Sequence, residues 1–501
     1  MDFKRKNESR RSILWQSLVV DSRSIRVFQI AIAIAILLDV WERYNDIDVL
    51  YTDYGICPRS VLVHNRAPKY LYSIYFANGY RFWSTLLCIV NGVAAIGMIV
   101  DVPGSTFVCW FMAIQIQMRN PYVASGGDIV HRVMLFFLIL APKGTLPSFY
   151  NRPRKKNNGL HSLTALAPVC QLLIIYFCAH AHKTGYSWRM SGDASREALE
   201  NIYYFRTRFG DLLLNSSIWF MRASTFAVLK WQFYGALLWL TPNQGAKLIS
   251  FLGFFTMHFS FGISMNLGHF TYIMLACTIL LAPGYFWDLL QIMENTKSRL
   301  KEKNGRNEKN GRNQKKRKRY FQMNTVVKNC VCLLGLIAVV SWNLKTFLKD
   351  SEDKVNDSWN FAMHVIGLDQ AWSMFSPGPP KRDWFPVIIG NLTNGTMVDV
   401  FKGMFDHKEY PVSPNVWNEF PDRISYRNLR VYKALSFVFN RNYHQTTQTA
   451  IWTIFGQYVC KQFNHDKSQL KEFSMSKVSA VNRFKTKTTL FSRKMLWIHT
   501  C

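Results

Sequence analysis

Lys183 and His258 are the two side chains whose surroundings would change their chemistry most. Lys183 follows an apolar stretch at 163–182, and His258 lies inside another at 247–265. An apolar boundary disfavours the ammonium form, so a lysine there can hold the neutral amine that a base needs. The same place suits a lysine whose stem runs along apolar surface while its charge reaches water. His258 can orient an oxygen atom by hydrogen bonding, or simply tie two helices together. His180 and His182 are two residues apart, which on a helix sends them to different faces. They are not expected to share a metal ion, and no metal is predicted. Asp128 and Arg132 are spaced i, i+4, the geometry of an ion pair at a helix start.

These residues need helices to carry them. Apolar segments fall at about 25–41, 81–100, 105–118, 129–141, 163–182, 217–240, 247–265, 268–284 and 325–345. They predict a multi-pass α-helical membrane bundle of about nine transmembrane helices. Segments 105–118 and 129–141 are shorter than the roughly 20 residues that a bilayer needs, so re-entrant or buried helices are alternatives there. Residues 1–24 are charged and lack the apolar core and cleavage site of a signal peptide, which leaves the first apolar stretch as an anchor. Basic loops then fix the orientation. The N-terminal tail 1–24, the loop 142–162 and the linker 291–324 are cytosolic, while 42–80, 183–216 and the domain 346–501 are lumenal or extracellular, in the endoplasmic reticulum or plasma membrane.

The linker carries KNGRNEKNGRNQ and then KKRKR at 315–319. Such a segment is too polar to bury a core and is expected to be disordered, close to anionic lipid heads. In the tail, runs at 384–388 and 396–401 flank Asn394-Gly395, which is hairpin chemistry. Pro386 confines the first run to a sheet edge. A further strand at 475–482 and helices at 429–440 and 447–462 complete a small C-terminal α+β extramembrane domain. The tripeptides starting at Asn356, Asn391 and Asn394 are glycosylation sequons on the outer side.

Composition agrees. The 501 residues carry 15% aromatics, and a mean hydropathy of −0.03 conceals a sharp division into apolar and polar blocks. The net charge of +30 lies between apolar segments and in the tail, not on one basic face, so no nucleic-acid partner is expected. Ten cysteines form no CxxC pair. Most lie in apolar segments as small hydrophobes, leaving Cys57, Cys460 and Cys501 to meet an oxidising lumen.

Five ordered blocks span residues 25–380: Asp39 with Tyr51-Thr-Asp-Tyr-Gly55-Ile-Cys-Pro58-Arg59; Arg119-Asn-Pro121 with Gly126-Gly-Asp128 and Arg132; Tyr176-Phe-Cys-Ala-His-Ala-His182-Lys183 with Trp188 and Gly192-Asp-Ala194; His258 with Asn266-Leu-Gly-His-Phe270 and Met274-Leu; and Trp372-Ser-Met-Phe-Ser-Pro377. Together they resemble the HTTM family, the membrane domain of vitamin K-dependent γ-carboxylases. The resemblance implies reduced vitamin K or a related quinone as cofactor, a Glu-containing protein or peptide as substrate, and membrane lipids around the bundle. It implies Lys183 as the base and His258 as a second catalytic residue. It also brings His182, Trp188, Asp128 and Arg132 toward substrate binding. Tyr51, Asp53 and Gly55 are expected to shape the first outer loop, with Gly55 permitting a turn.

Two departures stand out. Gln232 replaces an acid usual in the family's sixth span. The tail of about 150 residues is much shorter than the lumenal region with which animal γ-carboxylases bind propeptides. A non-enzymatic protein that keeps the bundle for lipid or partner binding is the alternative. A transporter is less favoured, because no half-helix repeat or midplane carboxylate pair is visible.

Overall fold

The computed structural model describes residues 18–65, 72–147, 159–201, 206–291, 324–347, 357–421, 426–440, 445–464, 469–483 and 488–501. The linker repeat, the KKRKR run, Asn356 and most of loop 142–162 lie outside them.

All nine apolar segments are helical. They form α1 (Ser22–Asn45), α2 (Arg81–Ile99), α3 (Ser105–Arg119), α4 (Gly126–Leu140), α5 (Leu163–His182), α6 (Ile218–Trp239), α7 (Gln244–Ser264), α8 (His269–Thr278) and α9 (Thr325–Lys345). Polar residues set their starts by accepting orphan backbone N–H groups: Asp21, Ser162, Ser217, Asn243 and Asn324 do so for α1, α5, α6, α7 and α9. Ser125 and Asp128 form a reciprocal capping box on α4.

Length and composition carry fewer crossings than nine. Five helices, α1, α2, α5, α7 and α9, are long and apolar enough to cross a membrane. The number rises to seven if Arg208–Leu214 with α6, bent by 111°, and His269–Leu281 with Gly284–Gln291, bent by 91°, each count as one span. Helices α3 and α4 have 15 residues each, about 22 Å at 1.5 Å per residue against a hydrocarbon core of about 30 Å. Exposed apolar side chains such as Phe82, Ile89 and Val93 on α2 and Leu334 and Ile337 on α9 are compatible with lipid contact and would be costly in water.

Contacts gather at two ends of the bundle. At one, Arg23 pairs with Asp21 and Asp288, Ser22 bonds Thr145, and Arg26 donates to the carbonyl of Met98. At the other, Asn120 donates to the Leu50 carbonyl, and Arg119 donates to those of Cys57 and Thr52. Gly55 sits here. Its role is close approach, because a Cβ would lie 2.4 Å from the Val49 oxygen, and no left-handed turn is involved.

The tail packs on this second end. Strands β1 (Arg382–Leu392), β2 (Met397–Asp399), β3 (Leu470–Arg483) and β4 (Thr488–Thr500) form an antiparallel sheet in the order β2-β1-β3-β4. Pro386 pairs with Lys477 of β3, while β2 reaches only Ile389 to Asn391. The missing N–H of Pro386 therefore faces an open side, as an edge position requires. The turn at Gly395 has φ +86°. Helices α10 (Leu429–Asn440) and α11 (Gln445–Phe463) cover the sheet near the expected bounds.

β4 was not anticipated. Nor was the Cys460–Cys501 disulfide, which fastens the last residue to α11. The tail does not build a separate core: Phe385, Ile388, Tyr432, Phe437 and Phe455 share one apolar cluster with Leu50, Leu62, Met112 and Ile116 of the bundle.

Candidate functional site

Lys183 is the C-cap of α5, one residue beyond the span, and only 3% of it is exposed. Its Nζ donates to the carbonyl of Ala179 at 3.0 Å, satisfying one of the orphan acceptors of the last turn. The Trp188 ring lies 5.2 Å from Nζ. Among the described residues no carboxylate pairs with this amine. Burial therefore acts on the ammonium without a compensating acid and pushes the pKa of Lys183 down to about 7.

The loop that follows is clamped by the start of the tail. Gly185 N donates to Pro377 O at 2.8 Å, and Trp188 Nε1 donates to Phe375 O at 2.7 Å. Ser376 Oγ donates to His182 O. A Cβ on Gly185 would stand 2.4 Å from the Pro377 oxygen, so glycine is required by close approach. Two blocks nearly two hundred residues apart thus form one structure around Lys183.

His258 is elsewhere. It is buried on α7 with Nε2 3.0 Å from the Tyr176 hydroxyl, and Tyr176 stacks on Phe254 with centroids 3.8 Å apart. Tyr176 precedes Lys183 by seven residues on the same helix, about 10 Å along its axis. His258 and Lys183 therefore do not converge on one atom. His182 stacks on Phe347, with Nε2 3.0 Å from Thr346 Oγ1. His180 instead bonds the Leu229 carbonyl, so the two histidines face apart, as their spacing requires.

Asp128 and Arg132 do not pair with each other. Asp128 accepts from Ser125, from Arg43 and from Arg430 of the tail. Arg132 pairs with Asp369 at 2.7 Å, which also holds His364 at 3.0 Å. The i, i+4 expectation fails because both residues find charged partners on other elements: Arg430 takes Asp128 in bidentate form, and Arg132 pairs with Asp369.

Asp128 belongs to a fully buried group at the tail-facing end. Arg43 bridges Asp39 and Asp128, and Arg430 reaches both from α10. Arg43 also donates to the Tyr51 hydroxyl. Asp39, Tyr51, Asp128 and His269 come from three of the five sequence blocks. Arg430 was invisible to sequence reasoning, since a lone arginine on an amphipathic helix reads as solvated. Gln232 is buried in α6, and its Oε1 has no hydrogen-bond partner.

Asn394 is exposed in the β1–β2 turn. Asn391 is half-buried inside β1, paired with Met397 and Glu472. A cleft of about 760 Å3 opens between the segment that joins α1 to α2 and α11, lined by Asp53, Tyr54, Arg59, Phe76, Tyr458 and Lys461 among others, away from Lys183. Comparison with protein-family models, curated proteins and solved structures returns no significant match.

Proposed function

We propose that this chain is a multi-pass integral membrane protein of the HTTM type in which Lys183 acts as a base toward an acidic phenol, reduced vitamin K or a related hydroquinone. The observation that carries this reading is a buried amine, shifted down to about 7, with one backbone carbonyl and one indole as neighbours. A neutral Nζ can take a phenolic proton near neutral pH, and its neighbour Trp188 belongs to an apolar cluster with Leu229 and Phe375. Oxygen and the hydroquinone would supply a base strong enough to remove the γ-proton of a glutamate side chain, to which CO2 then adds. Lys183 holds and returns the proton. Trp188 and the Phe375–Pro377 clamp hold the loop in place, and His258 lies deeper, within reach only of a substrate that spans about 10 Å.

The contacts put the Asp21 end of α1 and the tail at opposite ends of the bundle, as a nine-span reading with a cytosolic N-terminus and a lumenal tail requires. Asp46, Cys57 and His182 lie with the tail at one end, while Asp21, Asp101, Thr145 and Asp288 lie at the other. The Cys460–Cys501 pair suits an oxidising compartment, and Asn394 is open to glycosylation. A non-enzymatic reading is favoured by one observation: the Lys183 amine already caps the last turn of α5. The two part on turnover. Purified protein in nanodiscs, given reduced vitamin K and oxygen with and without a Glu-containing peptide and CO2, should form quinone epoxide. The non-enzymatic reading predicts none.

A further inference from the structure

The charged group at the tail-facing end contains more polar capacity than its ion pairs use. Asp39 on α1, His131 on α4 and His269 at the first turn of α8 offer donor atoms that all lie within 4.8 Å of one another. His131 is 3% exposed and His269 2%. His131 Nε2 and both ring nitrogens of His269 are buried without a hydrogen-bond partner. A buried polar atom left unpaired costs about 1–3 kcal/mol, and here one nitrogen of each imidazole lies within 4.8 Å of the Asp39 carboxylate.

The convergence is built into the backbone. A Cβ on Gly127 would lie 2.6 Å from Phe270 N and 3.0 Å from the His269 carbonyl carbon, so glycine lets the first turns of α4 and α8 touch. That contact brings the imidazoles to 5.2 Å between centroids. Asp39 is held by Arg43 at 2.7 Å and by Arg430, the outer hydrogen bonding that orients a ligating carboxylate.

We propose that Asp39, His131 and His269 form a binding site for a late first-row transition-metal ion. Two imidazoles and one carboxylate are the donor set that such ions prefer over hard cations. Asp39 and Asp128 already balance Arg43 and Arg430, so the ion brings net positive charge into a buried place. This charge weakens binding, and among such ions the imidazole and carboxylate donors suit zinc(II). Arg430 covers the site from the tail, so the ion is loaded before the tail docks. The proposal does not depend on Lys183 or on any quinone chemistry.

The test uses full-length protein expressed with and without added zinc sulfate, purified into nanodiscs and assayed for metals by mass spectrometry. About one ion per chain is expected in the wild type and in His180→Gln. His131→Gln and His269→Gln should each lower occupancy by roughly tenfold or more. Zinc-loaded wild type should melt higher than chelated wild type, a reading that needs no variant to fold. No ion in the wild type under either condition would overturn the proposal and leave ordered water as the occupant. Full occupancy in both histidine variants would overturn it equally.

Discussion

Replacing Arg430 by Met should undock the tail from the bundle. Arg430 is on α10, yet its guanidinium is buried and bonds Asp39 and Asp128 of the bundle. The two carboxylates are balanced by Arg43 and Arg430 together, so the variant leaves one buried negative charge without a partner. Removing one member of a buried ion pair costs about 3–5 kcal/mol. Lost packing of the arginine stem is offset by the methionine, so the charge dominates. At 1.4 kcal/mol per decade, the docked-to-undocked ratio should fall by roughly two to four orders of magnitude. Limited proteolysis in nanodiscs reads this as faster cleavage within the tail at unchanged helix content. Arg430→Lys should recover only part of the loss, because an ammonium cannot serve both carboxylates in bidentate form. A tail in Arg430→Met that resists protease like the wild type would refute the reasoning.

Other consequences are as direct. Endoglycosidase treatment of protein from microsomes should shift its mobility; Asn394→Gln should abolish a band of that shift while Asn391→Gln leaves it, since of these two Asn394 is exposed in a turn and Asn391 is half-buried in a strand. Cys501→Ser should lower tail stability by about 4 kcal/mol on a chain-entropy estimate for a 41-residue separation, measured by denaturant titration, and non-reducing peptide mapping of the wild type should link Cys460 to Cys501. Unfolded Lys183 keeps its proton to about 10, whereas folded Lys183 releases it near 7. Unfolding therefore takes up a proton between those values, so Lys183 adds a gain in stability with rising pH across that window, and Lys183→Met should show a smaller gain than the wild type, most clearly between about 7 and 8.

The helices were legible because their apolar residues are long and continuous runs between polar caps, a signal that survives without any alignment. Bends were not. The 91° break before Gly284 falls at Pro283, which leaves Ala282 extended, and Ser24 and Arg23 of α1 bond the carbonyls of Ala282 and Gly284, contacts some 260 residues apart. In the tail, alternation and Asn394-Gly395 marked three of the four strands. β4 was hidden because Arg493 and Lys494 interrupt its pattern and Leu490, Met495 and Ile498 face outward.

Site residues divide in the same way. Lys183 could be picked out by its place at the end of an apolar run, since burial there follows from the helix it caps. His258 could be placed in the bundle but not relative to Lys183, because nothing in spacing along the chain fixes the depth at which two helices cross. The ion pairs of Asp128 and Arg132 were misread for a related reason: i, i+4 spacing shows that two side chains can meet, not that better partners are absent. Arg43, Arg430 and Asp369 are such partners, and each is brought in by tertiary packing.

The central claim is that Lys183 supplies a neutral amine to a hydroquinone. The most direct measurement is hydroquinone oxidation by Lys183→Ala in nanodiscs, with and without small exogenous amines. The account predicts that Lys183→Ala loses most of the epoxide formed by the wild type. Added amine should restore part of it, in proportion to the concentration of free base, and Lys183→Arg should stay inactive because its guanidinium keeps its proton. Epoxide formation in Lys183→Ala equal to that of the wild type, without added amine, would contradict it.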